Sequence, residues 1–181
     1  RMICPDHGVI WRKEPKKIIT AYQHWCRQEP EKKAVVIYDT MWKSTQKMAE
    51  AIHSGILGEG VASKPLSLRG WHRSEVMTEV FDARAVVVGS PTLNNGLYPS
   101  LADFLCYMKG LKPKNKIGAA FGSYGWSGEA VKLIEAELTQ MGIPLAQPGL
   151  KIQFVPEKPQ LEACREFGRQ IGRAVKTELP A

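Results

Sequence analysis

The sequence has only four cysteines, Cys4, Cys26, Cys106 and Cys164, and no two of them form a C-x-x-C pair. That spacing excludes a zinc ribbon, a cysteine-held iron–sulfur site and a thioredoxin-type dithiol. No run approaches the ~18 consecutive apolar residues of a membrane helix. Residues 1–20 are interrupted throughout by polar and charged side chains, so no signal peptide is expected there. Neither G-x-x-x-x-G-K-[ST] nor G-x-G-x-x-G occurs, which removes a nucleotide-triphosphate loop and a dinucleotide fingerprint. Internal repeats and low-complexity tracts are also missing. The first residue is Arg1 rather than methionine, as expected of a fragment or a processed product.

What is present is the profile of a folded globular chain: 181 residues, 44% hydrophobic and 24% charged. The formal net charge is +7, spread over Lys16 and Lys17, Lys32 and Lys33, and the stretch from Lys112 to Lys116. No recognition motif accompanies this charge, so nucleic acid is not the expected partner. A scattered basic surface instead suits the steering of an acidic protein. Cys106 and Cys164 fall within predicted helices, and both are expected to be buried free thiols. Free thiols point to a reducing, cytoplasmic setting.

Near-continuous apolar runs occur at Ala34–Tyr38, Ala85–Gly89 and Ile117–Phe121, the mark of strands buried on both faces. Helical spacing separates them, at Met48, Ala51, Ile52 and Ile56, then at Leu101, Phe104, Leu105 and Met108. It recurs at Val131, Ile134, Leu138 and Met141, where Gly142 ends the helix, and at Leu161, Cys164, Ile171 and Val175. Strands at 61–68 and 150–154 read as edges, the first because Pro65 cannot donate to a ladder. The pattern predicts an α/β three-layer sandwich around a five-stranded parallel sheet of order 2-1-3-4-5. Residues 1–32 stand apart, with a turn at Asp6–Gly8 and a helix opened by Pro15 and carrying Ile18, Tyr22 and Trp25.

In such sheets ligands bind beyond the carboxyl ends of the strands, where the strand order reverses. The loop after the first strand carries Thr40, Met41, Trp42, Lys43, Ser44 and Thr45. Successive amides at a helix N-terminus, with three hydroxyls, suit a phosphate monoester. The loop after the third strand, Pro91, Thr92, Leu93, Asn94, Asn95 and Gly96, offers amides to the edge of a heteroaromatic ring. Ser123, Tyr124, Gly125 and Trp126 follow the fourth strand, and their aromatics, with Trp42, can border a flat ring.

These loops resemble those of the flavodoxin family, whose phosphate loop has the form T/S-x-T-G-x-T. Thr40 and Thr45 match that form, whereas Trp42 and Lys43 depart from it. Tyr38-Asp-Thr-Met-Trp-Lys-Ser-Thr45, Gly89–Gly96 and Phe121–Gly128 are similar to the flavodiiron proteins, cytoplasmic oxygen or nitric oxide reductases. In those proteins a metallo-β-lactamase-like diiron domain precedes an FMN-bearing flavodoxin-like domain. The resemblance implies that 1–32 is the tail of the diiron domain plus a linking helix, and that 33–181 is the FMN domain. It implies electron delivery from a rubredoxin or a rubredoxin reductase to a diiron site, across a head-to-tail homodimer. By the same resemblance His7, in Cys4-Pro-Asp-His-Gly8, matches an iron ligand. The rest of that ligand set, including H-x-[ED]-x-D-H, is absent, and His24, His53 and His72 do not supply it, so no iron is expected in these residues. A free-standing NAD(P)H:quinone reductase and a flavin-less interaction module of the same fold are the alternatives.

Overall fold

A computed structural model describes residues 2–177. Strand β1 (Glu31–Tyr38) lies inside the sheet, and its side chains alternate between two apolar layers. Ala34, Val36 and Tyr38 join one core cluster, whereas Val35 and Ile37 join the other. The same alternation runs through β3 (Ala83–Gly89), with Ala85 and Val87 on one side and Val86 and Val88 on the other. A strand flanked on both faces has no room for polar side chains, which is why these runs are continuously apolar.

With β2 (Ala62–Ser67), β4 (Ile117–Tyr124) and β5 (Leu150–Gln153), the strands form one parallel sheet in the order β2-β1-β3-β4-β5, as expected. Pro65 pairs with Val36, and β2 has no neighbour on its other side, so its missing N–H breaks no ladder. Helices α2 (Ser44–Gly58) and α6 (Lys158–Lys176) cover one face. They cross with their backbones nearly touching: a Cβ on Gly55 would stand 2.0 Å from the Arg165 carbonyl oxygen, and one on Gly168 2.1 Å from that of Ile52. Helices α4 (Pro99–Leu111) and α5 (Ala130–Gln140) lie on the opposite face, and Gly142 follows α5 with φ +73°, as its expected stop.

Three features differ from expectation. Helix α3 (Arg73–Asp82) joins β2 to β3 where the apolar spacing marks no helix. Only Val76, Met77 and Val80 are buried in it, and its start is set by a capping box between His72 and Glu75. Cys106 is exposed rather than buried, because it points away from the Leu101, Phe104, Leu105 and Met108 stripe of α4. Cys164 is buried as expected, and burial pushes its thiol up to about 12. Strand β5 stops before Phe154, which turns to φ +63° while its N–H donates to the Tyr124 carbonyl at 2.7 Å.

Asp6–Gly8 bends as expected, with Gly8 at φ +111° and Ile3 bridged to Trp11. Helix α1 (Lys16–Arg27) buries none of its residues. Its far end is held by Gln28, whose side chain accepts from the Lys114 amide at 2.7 Å. Strand β1 starts at Glu31, ahead of the boundary expected at residue 33, and residues 178–181 of the expected second unit lie outside the described residues. No described helix is long and apolar enough to cross a membrane.

Candidate functional site

Tyr38 pairs with Gly89 and Gly89 with Phe121, so β1, β3 and β4 are in register near their carboxyl ends. The loops that leave them therefore share one rim. Two close contacts draw the strand ends together: a Cβ on Gly89 would meet the Phe121 ring at 2.1 Å, and one on Gly122 the Ser90 carbonyl at 2.3 Å.

The loop after β1 turns into α2 through Lys43, which adopts φ +69° at the N-cap position, and no side chain caps the helix. The first amide to bond back into the loop is that of Lys47, to the Lys43 carbonyl at 3.0 Å. The preceding turn is thus an uncapped helix N-terminus, with a partial positive charge on its amides. Thr40 is 6% exposed, yet its Oγ1 has no hydrogen-bond partner among the described residues. A buried hydroxyl without a partner is costly unless a ligand supplies one. Thr45 is fully buried, and its Oγ1 lies 2.8 Å from Ser123 Oγ, joining the first loop to the end of β4. Met41 and Ser44 are half-buried, and Trp42 stands 83% exposed.

The second loop is a tight turn. Asn94 and Asn95 both take positive φ, +49° and +58°, and Leu93 and Gly96 exchange backbone hydrogen bonds at 3.1 and 2.9 Å. This is the geometry of a type I′ turn, which Asn tolerates better than other residues with a side chain. Thr92 anchors the turn to the third loop: its N–H donates to the Ser123 carbonyl at 2.9 Å. Pro91 is buried beneath it. Ser127 Oγ reaches Asn95 Oδ1 at 3.4 Å and Glu129 Oε2 at 2.6 Å. A cleft of about 210 Å³ opens between these loops, lined by Thr92, Asn94, Asn95, Gly125, Trp126 and Ser127. Trp126 is 94% exposed, and neither it nor Trp42 stacks on another ring among the described residues. Tyr124 is half-buried, packed over Gly128 with Lys151 Nζ 5.7 Å from its ring centre.

All sixteen expected positions thus fall on this rim, with Thr45 and Ser123 in direct contact and Thr92, Asn94, Asn95, Gly125 and Trp126 around one cleft. Sequence reasoning passed over the residues behind the first loop. Asp39 is 3% exposed and takes three donors: the Thr40 amide at 2.6 Å, Ser100 Oγ at 2.6 Å and Arg69 Nε at 2.8 Å. The signal was its place, a carboxylate directly after the apolar run Ala34–Tyr38. His7 is exposed, and no group of three or more His, Cys, Asp or Glu among the described residues is arranged to hold a metal ion. A diiron centre does not fit these residues.

The profile of the flavodoxin family matches residues 36–168. A nitric oxide reductase of Moorella thermoacetica is 46% identical over 176 residues, 97% of this chain and 44% of that protein. The solved rubredoxin oxygen:oxidoreductase of Desulfovibrio gigas superposes with a TM-score of 0.91 at 43% identity, covering 97% of this chain and 44% of that one. The flavodiiron protein of Giardia intestinalis also gives 0.91, at 33% identity, over 96% of this chain and 44% of its own. The chain therefore spans less than half the length of these relatives. The likeness expected from the three loops extends over nearly all of it.

Proposed function

The chain belongs to the flavodoxin family, and from that premise we propose that it is the FMN-binding, electron-transferring part of a flavodiiron oxygen or nitric oxide reductase. Residues 33–181 form the flavin domain, and residues 1–32 are the tail of a diiron domain plus a linking helix, the rest of that domain lying outside this chain. The observation that carries the reading is the orphaned, buried Thr40 hydroxyl beside an uncapped helix N-terminus, a pair of features that a phosphate would satisfy together.

Bound FMN supplies one- and two-electron redox chemistry through its ring. The residues of this chain bind and orient it. Thr40, Met41, Trp42, Lys43, Ser44 and Thr45 hold the phosphate through hydroxyls and backbone amides. Pro91, Thr92, Leu93, Asn94, Asn95 and Gly96 present donors and acceptors to the edge of the ring, stiffened by the type I′ turn. Ser123, Tyr124, Gly125 and Trp126 form the opposite wall. The solvent-facing Trp126 and Trp42 provide apolar faces that a planar ring or a docking protein can cover. No residue acts as acid, base or nucleophile, since electron passage needs none.

The donor is a rubredoxin or a rubredoxin reductase, in keeping with the name of the Desulfovibrio gigas relative and with a +7 chain that attracts acidic partners. Electrons leave toward a diiron site carried by the longer protein, across a homodimer, in the cytoplasm. His7 joins that site only in the longer protein. Neither nucleic acid nor a membrane is a partner. Rapid mixing of the FMN-loaded chain with reduced rubredoxin tests the reading. Bleaching of the flavin absorbance that slows as salt is added supports it; an unchanged flavin spectrum overturns it.

A further inference from the structure

We propose that Arg69 sets the preference of the site for a phosphorylated flavin over riboflavin, by neutralising the buried carboxylate of Asp39; this rests on the FMN reading above. Asp39 immediately precedes Thr40, whose orphaned hydroxyl marks the phosphate position. A buried carboxylate so close to a phosphate opposes it, because the low local dielectric strengthens like-charge repulsion. Hydrogen bonds from the Thr40 amide and Ser100 Oγ satisfy the oxygens of Asp39 but leave its charge in place. The one cation paired with it among the described residues is Arg69, at 2.8 Å through Nε.

Arg69 comes from the turn after β2 and is held on its far side by Tyr98, Nη2 standing 3.3 Å from the phenolic oxygen. Tyr98 in turn donates its N–H to Ser90 Oγ at 3.0 Å, at the start of the ring-binding loop. The guanidinium therefore links the phosphate loop to the ring loop as well as balancing the charge. Its side chain is about half exposed, so it reaches Asp39 from the solvent side without itself being buried. A brace alone would affect every flavin equally. Charge balance affects only the ligand that bears a phosphate.

The test compares FMN and riboflavin dissociation constants for the FMN-free chain and its variants. Arg69→Met unmasks Asp39 and weakens FMN by about tenfold or more while moving riboflavin by less than about twofold. The double variant Arg69→Met/Asp39→Asn removes both charges and brings FMN back to within about threefold of the original chain. Arg69→Lys keeps the charge and most of the preference. Equal losses for both flavins in Arg69→Met, or no loss for either, overturn the proposal. So does a double variant that stays as weak for FMN as the single one. If Arg69→Met loses its far-UV circular dichroism, the lysine and double variants decide in the same way. An unmodified chain that takes up neither flavin overturns the FMN reading itself, and is told apart from the other outcomes by that fact.

Discussion

Thr45 Oγ1 lies 2.8 Å from Ser123 Oγ, with both residues buried, so the first turn of α2 is fastened to the carboxyl end of β4. Replacing Thr45 with Val keeps the shape but strands the Ser123 hydroxyl. The expected loss is about 1–3 kcal/mol of unfolding free energy, the desolvation cost of an unpaired buried hydroxyl. Ser123→Ala strands the Thr45 hydroxyl to a similar extent. The double variant, with neither hydroxyl left, should lose clearly less than the sum of the two. Urea titrations of the three variants measure this, and strict additivity would show that the two groups do not interact.

Thr40 predicts opposite signs for two measurements on one variant. Its Oγ1 has no partner among the described residues, so Thr40→Val removes a buried liability and should stabilise the flavin-free chain by about 1 kcal/mol. The same change removes a hydrogen bond to a charged phosphate, worth about 1.5–3 kcal/mol, so FMN should bind roughly ten- to a hundredfold more weakly. Denaturant melts and a flavin titration on the same sample check both. A variant that loses stability and keeps its FMN affinity would place the phosphate elsewhere.

Lys116 predicts a pH dependence. Its side chain is buried, its Nζ donates to the Phe81 carbonyl at the end of α3 at 2.6 Å, and burial lowers its pKa from 10.5 to about 8. Asp82 opposes that shift and Arg84 adds to it. Between these values the unfolded chain holds the proton more tightly than the folded one, so this group favours folding increasingly as pH rises from about 8 to 10.5. The whole effect is about 3 kcal/mol. Cys164 acts in the other direction above the ordinary thiol pKa, because its folded thiol is held up at about 12. The difference in unfolding free energy between the original chain and Lys116→Met isolates the lysine. It should grow in favour of the lysine form between pH 8 and 10; a flat difference would contradict the shift.

Much of this architecture was legible because buried parallel strands leave an unmistakable apolar signature, as Ala34–Tyr38 and Ala85–Gly89 do. Pro65 alone identified an edge. Helix α3 was not legible, since three buried residues and a capping box do not make a stripe. Cys106 misled because a cysteine next to a stripe looks like part of it until the helical angle is counted. At the site, hydroxyls and glycines in a loop announced themselves. The Asp39–Arg69 pair did not, because thirty residues separate its members and only the sheet brings β1 and β2 side by side. The absence of a partner for Thr40 Oγ1 is likewise a three-dimensional fact with no trace in the sequence.

The most direct test of the central claim is a titration of the flavin-free chain with FMN and, separately, with riboflavin, followed by flavin fluorescence. The account predicts saturation at about one FMN per chain and binding of riboflavin weaker by about tenfold or more, the share that a phosphate held by Thr40 and the N-terminus of α2 should contribute. Failure to take up FMN, or equal affinity for the two flavins, would contradict it.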